Sequence, residues 1–564
     1  MAPAADIDLY APFERDTILE IRTSKMKAMP GLKIQSGIDK ELRDGRIPVS
    51  LGGLDADEHD LTFHGGPDKA IHGYCASHYP TWRDEFPEAA ARFQPGGFGE
   101  NFVTERMNER NVCIGDVVAV GTDGVLLQVS LPRQPCFKLN HRFQLKNFAP
   151  NTYKTSRTGW YYRVLREGSV AAGDEIRLVE RKHPRWTIER VQEYLHRTLD
   201  DAEMNELLAG VVDMGDESRK AFETRVAKLK ARQKRAAGSE AKEAERWREY
   251  KLVEKKAQTA RISSFVLEAV RPEHDTGGEG ALANLQLGSH VRLKLPNGLL
   301  RSYSIVSGSP NRFELGVARE EPGRGGSAYL HQTAQEGDVI QVGRITTDVK
   351  PVAAASNHLF VVGGIGITAF LGMMETYSRI NWETTLHYGV QSTADVPFRE
   401  RVDGLGDSVR LYDRSKGERM DIPKILGDLG WNSHVYVCGP RRMMEEAARE
   451  AKRCGLGPDE VHFEAFAADA TGDPFEVEVA NRGGRVLRVG EEETLLEVLR
   501  RCFGDDGVAS SCEVGNCGTC RVALRQGRVE HRGSALVEGV EGDGEGEGML
   551  SCVSRGVGRI VIEI

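Results

Sequence analysis

The chain has 564 residues, roughly four domains at about 150 residues each, and more than one hydrophobic core can serve. Hydrophobic residues make up 40%, charged residues 28%, and the net charge is −9. That composition excludes a disordered or membrane-embedded chain and speaks against binding nucleic acid or an anionic membrane, both of which need a basic surface.

The opening MAPAADIDLYAPFERD has neither the basic nor the apolar stretch of a secretory signal, and it is too acidic for a transit peptide. The longest apolar run, Leu359 to Met374, is interrupted by Gly363, Gly364, Gly366 and Gly372, and falls short of the ~20 residues of a membrane span. The ten cysteines are therefore expected in a reduced, cytoplasmic protein, with the clustered ones binding metal.

From about 18 to 180 short strands alternate with Gly-rich turns. GDVVAV (115–120), VLLQVSL (125–131) after Asp123-Gly124, and GDEIRLVE (173–180) read as strands. After Pro184, Ile188, Val191, Leu195 and Leu199 recur at helical spacing behind a Thr187 cap. Short helices follow from about Ala202 and Glu217, the last with Phe222, Val226 and Leu229 on one face. The charged stretch 228–251 reads as a solvated helix or linker and marks the main domain boundary. Residues 252–350 are β-rich again (RISSFVLEAV, HVRLKL, RSYSIV, RFELGVA). LFVVGG, TLHYGV and HVYVCG are buried strands of an α/β unit over 358–466. FEVEVA, RVLRV and the helix TLLEVLRRC open the last unit, and Glu538 to Gly548 is an acidic low-complexity loop.

Cys512, Cys517 and Cys520 have C-x4-C-x2-C spacing, and Cys552 follows after 31 residues. This is the plant-type [2Fe–2S] pattern, with Gly515 and Gly518 letting the backbone wrap close to the sulfides. Zinc usually takes paired C-x2-C knuckles, and only one such pair exists here. Residues 473–564 resemble plant-type ferredoxin domains, an α+β (β-grasp) fold.

Upstream, Arg301, Ser302, Tyr303 and Ser304 lie on a strand, and Gly325, Gly326 and Ser327 form a turn suited to a phosphate. VVGGIGIT (361–368) is a strand, Gly-rich turn and helix start that aims amides at a pyrophosphate, and Cys438-Gly439-Pro440 ends another buried strand. Residues 250–468 resemble the ferredoxin–NADP reductase superfamily. The order flavin, nicotinamide, [2Fe–2S] resembles the phthalate dioxygenase reductase and vanillate demethylase reductase family. That resemblance implies hydride transfer from NAD(P)H to flavin and single electrons onward to the cluster. It places Arg301, Tyr303 and Ser304 on the flavin, with Ser302 beside them and Gly326 and Ser327 at its phosphate. Gly363, Gly364, Gly366, Thr368, Cys438 and Gly439 would line the nicotinamide site. Domain order and the GGS turn point to FMN over FAD; NADH versus NADPH stays open.

In the first third, FHGGPDKAIHGY (63–74), FGENF (98–102), CIGDVV (113–118) and PRQPCFKL (132–139) resemble, as an ordered set, the MOSC domain. The helices at 187–234 resemble the small domain that follows it in some bacterial members. The resemblance implies a molybdopterin site with Cys136 as catalytic residue and molybdenum ligand. It places Arg133 and Lys138 at the pterin phosphate, with Lys69, Asn101 and His64 closing the site; His72 is open either way.

The expected layout is a mostly-β MOSC barrel at 1–182, a three-helix domain at 183–235 and a charged linker at 236–250. A β-barrel flavin domain at 251–352, an α/β NAD(P) domain at 353–468 and the ferredoxin domain at 473–564 follow. The expected function is a self-sufficient molybdenum oxidoreductase that reduces N-hydroxylated purines, amidoximes or hydroxylamines. The alternative is a reductase for an external oxygenase or other electron acceptor, with MOSC as a docking module or a sulfur carrier. No pyridoxal-phosphate desulfurase is evident, which weakens the sulfur-carrier reading. A homodimer stays open.

Overall fold

The computed structural model describes residues 11–60, 65–236, 247–272, 285–320, 325–347, 349, 351–466, 472–504, 507–510, 513–515, 518–533 and 548–564, with 231–236 as backbone alone. Arg15–Thr23 pairs with Phe102–Thr104 on one side and Glu175–Glu180 on the other, which closes the N-terminal sheet into a barrel. Its other strands are Val117–Val120, Val125–Pro132, Trp160–Arg166 and Ile71–Cys75. Valine and isoleucine alternate inward along them, which suits a pleated surface with one face on a core.

The helices after Pro184 have no core of their own. Ile188, Val191, Leu208, Met214 and Phe222 belong to the same buried cluster as Val118, Val129 and Ile176 of the barrel. Thr187 caps Ile188–Gln192 by accepting the Arg190 N–H. The expected helix through Leu199 instead runs into a π-helical turn, Glu193–Arg197. The charged stretch is partly structured: Asp216–Ala236 is helical and Arg248–Ala257 is already a strand, so the linker expected at 236–250 is shorter at both ends.

That strand joins Ile262–Ala269, Arg312–Ala318, Leu300–Ser309, Ser289–Lys294 and Val339–Thr347 in a closed six-stranded barrel. The next unit is an all-parallel sheet in the order Val409–Asp413, Thr384–Val390, Asn357–Gly363, Ser433–Cys438 and Val461–Phe463. Its central strands are buried along nearly their whole length, as helices on both faces require. In the last unit Phe475–Val479 lies parallel to Arg555–Glu563, and the helix Leu495–Phe503 packs on the mixed sheet behind a Thr494–Glu497 capping box. The acidic run lies outside the described residues except Gly548, which opens the strand Gly548–Leu550.

The N-terminal barrel sits on the parallel sheet at the edge where its strands begin. Asn140 Nδ2 donates to the Ala354 carbonyl (2.9 Å), Lys146 pairs with Glu460 (2.6 Å), and the Lys33 N–H donates to Glu383 (2.6 Å). Among the described residues no helix is long and apolar enough to cross a membrane.

Candidate functional site

The strand Val125–Pro132 runs out into a short loop ending at Cys136, the N-cap residue of the helix Phe137–Phe143. Cys136 is half-buried, has extended backbone (φ −136°, ψ 173°) and makes no side-chain cap. It borders a cavity of about 160 Å³, together with Lys69, Lys138 and Tyr161. A smaller adjoining cavity of about 60 Å³ shares Cys136 and Lys138 and adds Arg133, His72 and Asn101. Four of the residues expected around Cys136 thus lie there, Lys69, Asn101, Arg133 and Lys138, together with His72, which the sequence left open. His64 lies outside the described residues.

Their roles divide by what they already bind. Asn101 is fully engaged: its Oδ1 accepts the His72 N–H (2.9 Å), and its Nδ2 donates to the Arg22 carbonyl (3.0 Å) and Asp57 (2.8 Å). It therefore holds the wall in place, with both amide hydrogens already engaged within the protein. Lys69 is ion-paired with Glu217 from the following helix, and Lys138 with Asp60 at 3.3 Å. Arg133 is 4% exposed, and among the described residues its Nη1 has no hydrogen-bond partner. A buried guanidinium nitrogen left unpaired is costly, and an anionic oxygen satisfies it. Burial, reinforced by Arg133, pushes His72 well below the ordinary histidine range, so its imidazole is neutral. A thiol sulfur beside a buried guanidinium with an open donor is a donor set that fits a soft-ligated metal carrying a phosphate-bearing group.

The second site lies between the flavin barrel and the parallel sheet. Ser304 Oγ donates to Glu464 Oε1 (2.5 Å), and Glu464 stands directly after the strand Val461–Phe463. Burial, then Glu464, pushes the Cys438 thiol well up. A Cβ on Gly366 would lie 2.4 Å from the Cys438 carbonyl, and one on Gly439 2.9 Å from Gly363 N. These glycines let two strand ends approach at the edge where ligands of such sheets bind. Gly364 has φ +55° with open space around it, and Thr368 Oγ1 donates to the Ile365 carbonyl (2.9 Å) in the first turn of its helix. On the barrel, Arg301 lies over Gly326, where a Cβ would sit 2.6 Å from its Cγ. Half-buried Tyr303 packs on the barrel core, and Ser302 pairs in register with Arg292. Ser327 Oγ accepts the Glu320 N–H (3.2 Å).

In the third site Cys520 and Cys552 are buried with their sulfurs 3.2 Å apart. That exceeds the about 2.05 Å of a disulfide and suits two thiolates on one metal. Gly515 and Gly518 both have positive φ, which the wrapping backbone requires. Cys512 and Cys517 lie outside the described residues. Arg292 of the flavin barrel reaches this loop, pairing with Glu513 (3.1 Å) and donating to the Ser510 carbonyl (3.3 Å).

Residues 60–177 match the MOSC domain family, and 478–556 match the 2Fe-2S iron-sulfur cluster binding domain. A protein from Gibberella moniliformis described as a reductase is 36% identical over 571 residues, covering 97% of this chain and 95% of the relative. The chain belongs to this family of MOSC–reductase fusions. The carnitine monooxygenase reductase subunit of Escherichia coli is 34% identical over 49% of this chain and 88% of the relative. The phthalate 4,5-dioxygenase reductase subunit of Pseudomonas putida is 32% identical over 49% and 86%. The MOSC–reductase is accordingly an NAD(P)H-dependent flavin and iron–sulfur oxidoreductase.

Two features of this MOSC–reductase were not read from its sequence. Asp57 and Lys40 form a buried ion pair at the smaller cavity, in a stretch without a motif. Glu464 shows only as an acid following a β-branched strand. Its carboxyl is pushed up to about 7 by burial, with the Ser304 hydroxyl acting the other way. A raised acid holds its proton more tightly folded than unfolded, so its contribution is full below the ordinary 4.5 and is lost as pH rises through 7. In flavin-free protein, Glu464→Gln is expected to gain about 3 kcal/mol on wild type between about pH 4.5 and 7.5. Urea melts at both pH values test it; parallel behaviour of the two proteins would remove Glu464 as the cause.

Proposed function

We propose that the chain reduces N-hydroxylated compounds at a molybdenum centre held by Cys136, using electrons from NAD(P)H. The observation that carries this reading is one cavity lined by the Cys136 thiol, Lys138 and Lys69, with Arg133 beside it, in a chain that also contains a complete reductase. When bound, a flavin would take the two electrons of one hydride and release them singly, a [2Fe–2S] cluster would relay them, and molybdenum would deliver them as a pair.

The chain's own residues set the rest. Cys136 would be the soft donor, Arg133 Nη1 and Lys138 would hold the pterin phosphate, and neutral His72 would back the wall. Reduction of R–NH–OH takes two electrons and two protons and gives R–NH2 and water. Lys69, ion-paired with Glu217 at the cavity wall, would hand a proton to the departing oxygen. Ser304, Cys438 and Glu464 form the floor on which flavin and nicotinamide meet, and Arg292 with Glu513 holds the cluster loop against the flavin barrel. FMN is the proposed flavin. Cys512, Cys517, Cys520 and Cys552 are the proposed cluster ligands.

A second reading is favoured by relatives that are reductase subunits of oxygenase systems: electrons leave the cluster for an external acceptor. The molybdenum-to-iron ratio of protein made in a molybdenum-cofactor-producing host decides between them. A ratio near one to two supports a molybdenum end point. Iron and flavin without molybdenum would overturn it in favour of the external acceptor.

A further inference from the structure

The wall of the Cys136 cavity is not made by the N-terminal barrel alone. Ile380 and Trp382 also line it, and both come from the nicotinamide domain, between the helix Ile367–Arg379 and the strand Thr384–Val390. Trp382 is held from three sides. Its ring stacks on His358 (5.1 Å between centroids, 6° between planes) and packs on Tyr377 (4.8 Å). It meets Phe137, the residue after Cys136, edge to face at 6.2 Å and 78°. Its neighbours grip the barrel: Asn381 Nδ2 donates to the Gln35 carbonyl (2.8 Å) and to Asp60 (3.1 Å), and Glu383 accepts the Lys33 N–H (2.6 Å). This loop precedes a strand of the parallel sheet. It therefore lies at the edge opposite the Gly363–Gly439 strand ends, and a nicotinamide bound there leaves it free to serve the barrel.

We infer that Trp382, with Ile380, is a substrate-recognition wall of the Cys136 cavity, selecting planar aromatic or heteroaromatic N-hydroxy compounds. The inference rests on the proposed N-reductase reading for the identity of the substrate. Trp382, Phe137 and Tyr161 present rings to the cavity, and offset or edge-on ring contacts favour a flat π-system over an alkyl group. Lys69, Lys138 and Asp60 supply the polar side, where an N–OH group sits beside Cys136. The reductase half of the chain is on this view part of the substrate pocket as well as the source of electrons.

Benzamidoxime and acetamidoxime differ only in phenyl against methyl, so they make a matched pair of probes. Their binding to oxidised holoenzyme is measured by equilibrium dialysis, without NAD(P)H, for wild type, Trp382→Ala, Trp382→Phe and Ile380→Ala. Trp382→Ala is expected to weaken benzamidoxime binding about tenfold while acetamidoxime stays within about twofold. Trp382→Phe should keep most of the preference. Flavin content and NAD(P)H-dependent cytochrome c reduction should stay within about twofold. If Trp382→Ala disturbs these, Ile380→Ala, which leaves the stack on His358 in place, decides by the same ratio. Equal losses for both probes, no loss for either, or no benzamidoxime binding by wild type would overturn the wall. Turnover of the same probes separates the two ideas. Trp382-dependent binding without conversion to benzamidine leaves the wall standing and removes the N-reductase reading. Conversion that ignores Trp382 does the reverse.

Discussion

Cys136→Ser is expected to abolish reduction of N-hydroxylated substrates while leaving cytochrome c reduction by NAD(P)H within about twofold of wild type. Loss of a partner one layer removed from a metal costs up to about a hundredfold in activity, and loss of the sulfur donor itself should cost more. The upstream path should not notice, because the Ser304–Glu464 and Arg292–Glu513 contacts lie in other domains. Stability should move the opposite way. Cys136 occupies the N-cap of the helix Phe137–Phe143 with extended backbone and no side-chain cap. Serine is among the best residues there, and capping contributes up to ~1 kcal/mol. A cysteine where helix formation favours serine breaks a local rule, as expected if Cys136 serves the proposed site. Activity on N-hydroxy substrates, cytochrome c reduction and thermal unfolding of one variant test all three statements. Retained N-reduction with flavin and iron in place would remove Cys136 from the chemistry.

The second large effect is structural. Asp57→Ala is expected to destabilise the N-terminal barrel by about 3–5 kcal/mol, the range for breaking a buried ion pair on one side. Asp57 is fully buried and accepts from the Lys40 ammonium (2.5 and 2.6 Å), the Ser24 N–H (2.8 Å) and Asn101 (2.8 Å). Removing it strands an ammonium in a site whose burial already pushes Lys40 below the ordinary lysine value. A lowered base binds fewer protons folded than unfolded. The loss is therefore full below the folded value and shrinks as pH rises toward the ordinary 10.5. Lys40→Met combined with Asp57→Asn should recover most of it, since the charge is gone and an acceptor for Ser24 remains. Amide exchange in the strand Arg15–Thr23 reads the barrel apart from the other domains. Equal protection in wild type and Asp57→Ala would show that the pair carries no net stability.

Much of the architecture was legible because it is written in short-range signals. The cluster cysteines are close in sequence, so their spacing alone names the cofactor. The two central parallel strands of the nicotinamide domain, Asn357–Gly363 and Ser433–Cys438, are mostly apolar and run into glycines, because both faces are covered. Three separate blocks, around Lys69, Asn101 and Arg133–Cys136, border two adjoining cavities, since each lies on or beside a strand of one closed barrel. The boundary at the charged stretch was less well placed. Charge marks exposure, and the exposed strand Arg248–Ala257 and helix Asp216–Ala236 carry as much of it as a linker does.

Long-range polar geometry left no such trace. Whether Asn101 serves a ligand or the protein depends on Asp57, 44 positions away, and both of its amide groups turn out to be engaged. Glu464 acquires its shifted carboxyl by burial, in a place where Ser304, 160 positions earlier, donates to it and acts against the shift. The helices after the barrel read as a separate unit because their spacing is helical, yet their apolar face is buried in the barrel's own core. Trp382 looks in sequence like any aromatic before a strand. Periodicity and spacing report what a residue needs from its neighbours along the chain, so they name elements, turns and metal ligands. Desolvation, ion pairing and the sharing of a cavity between domains depend on which surfaces are pressed together, and packing alone brings Trp382 against Phe137 at the cavity that Cys136 lines.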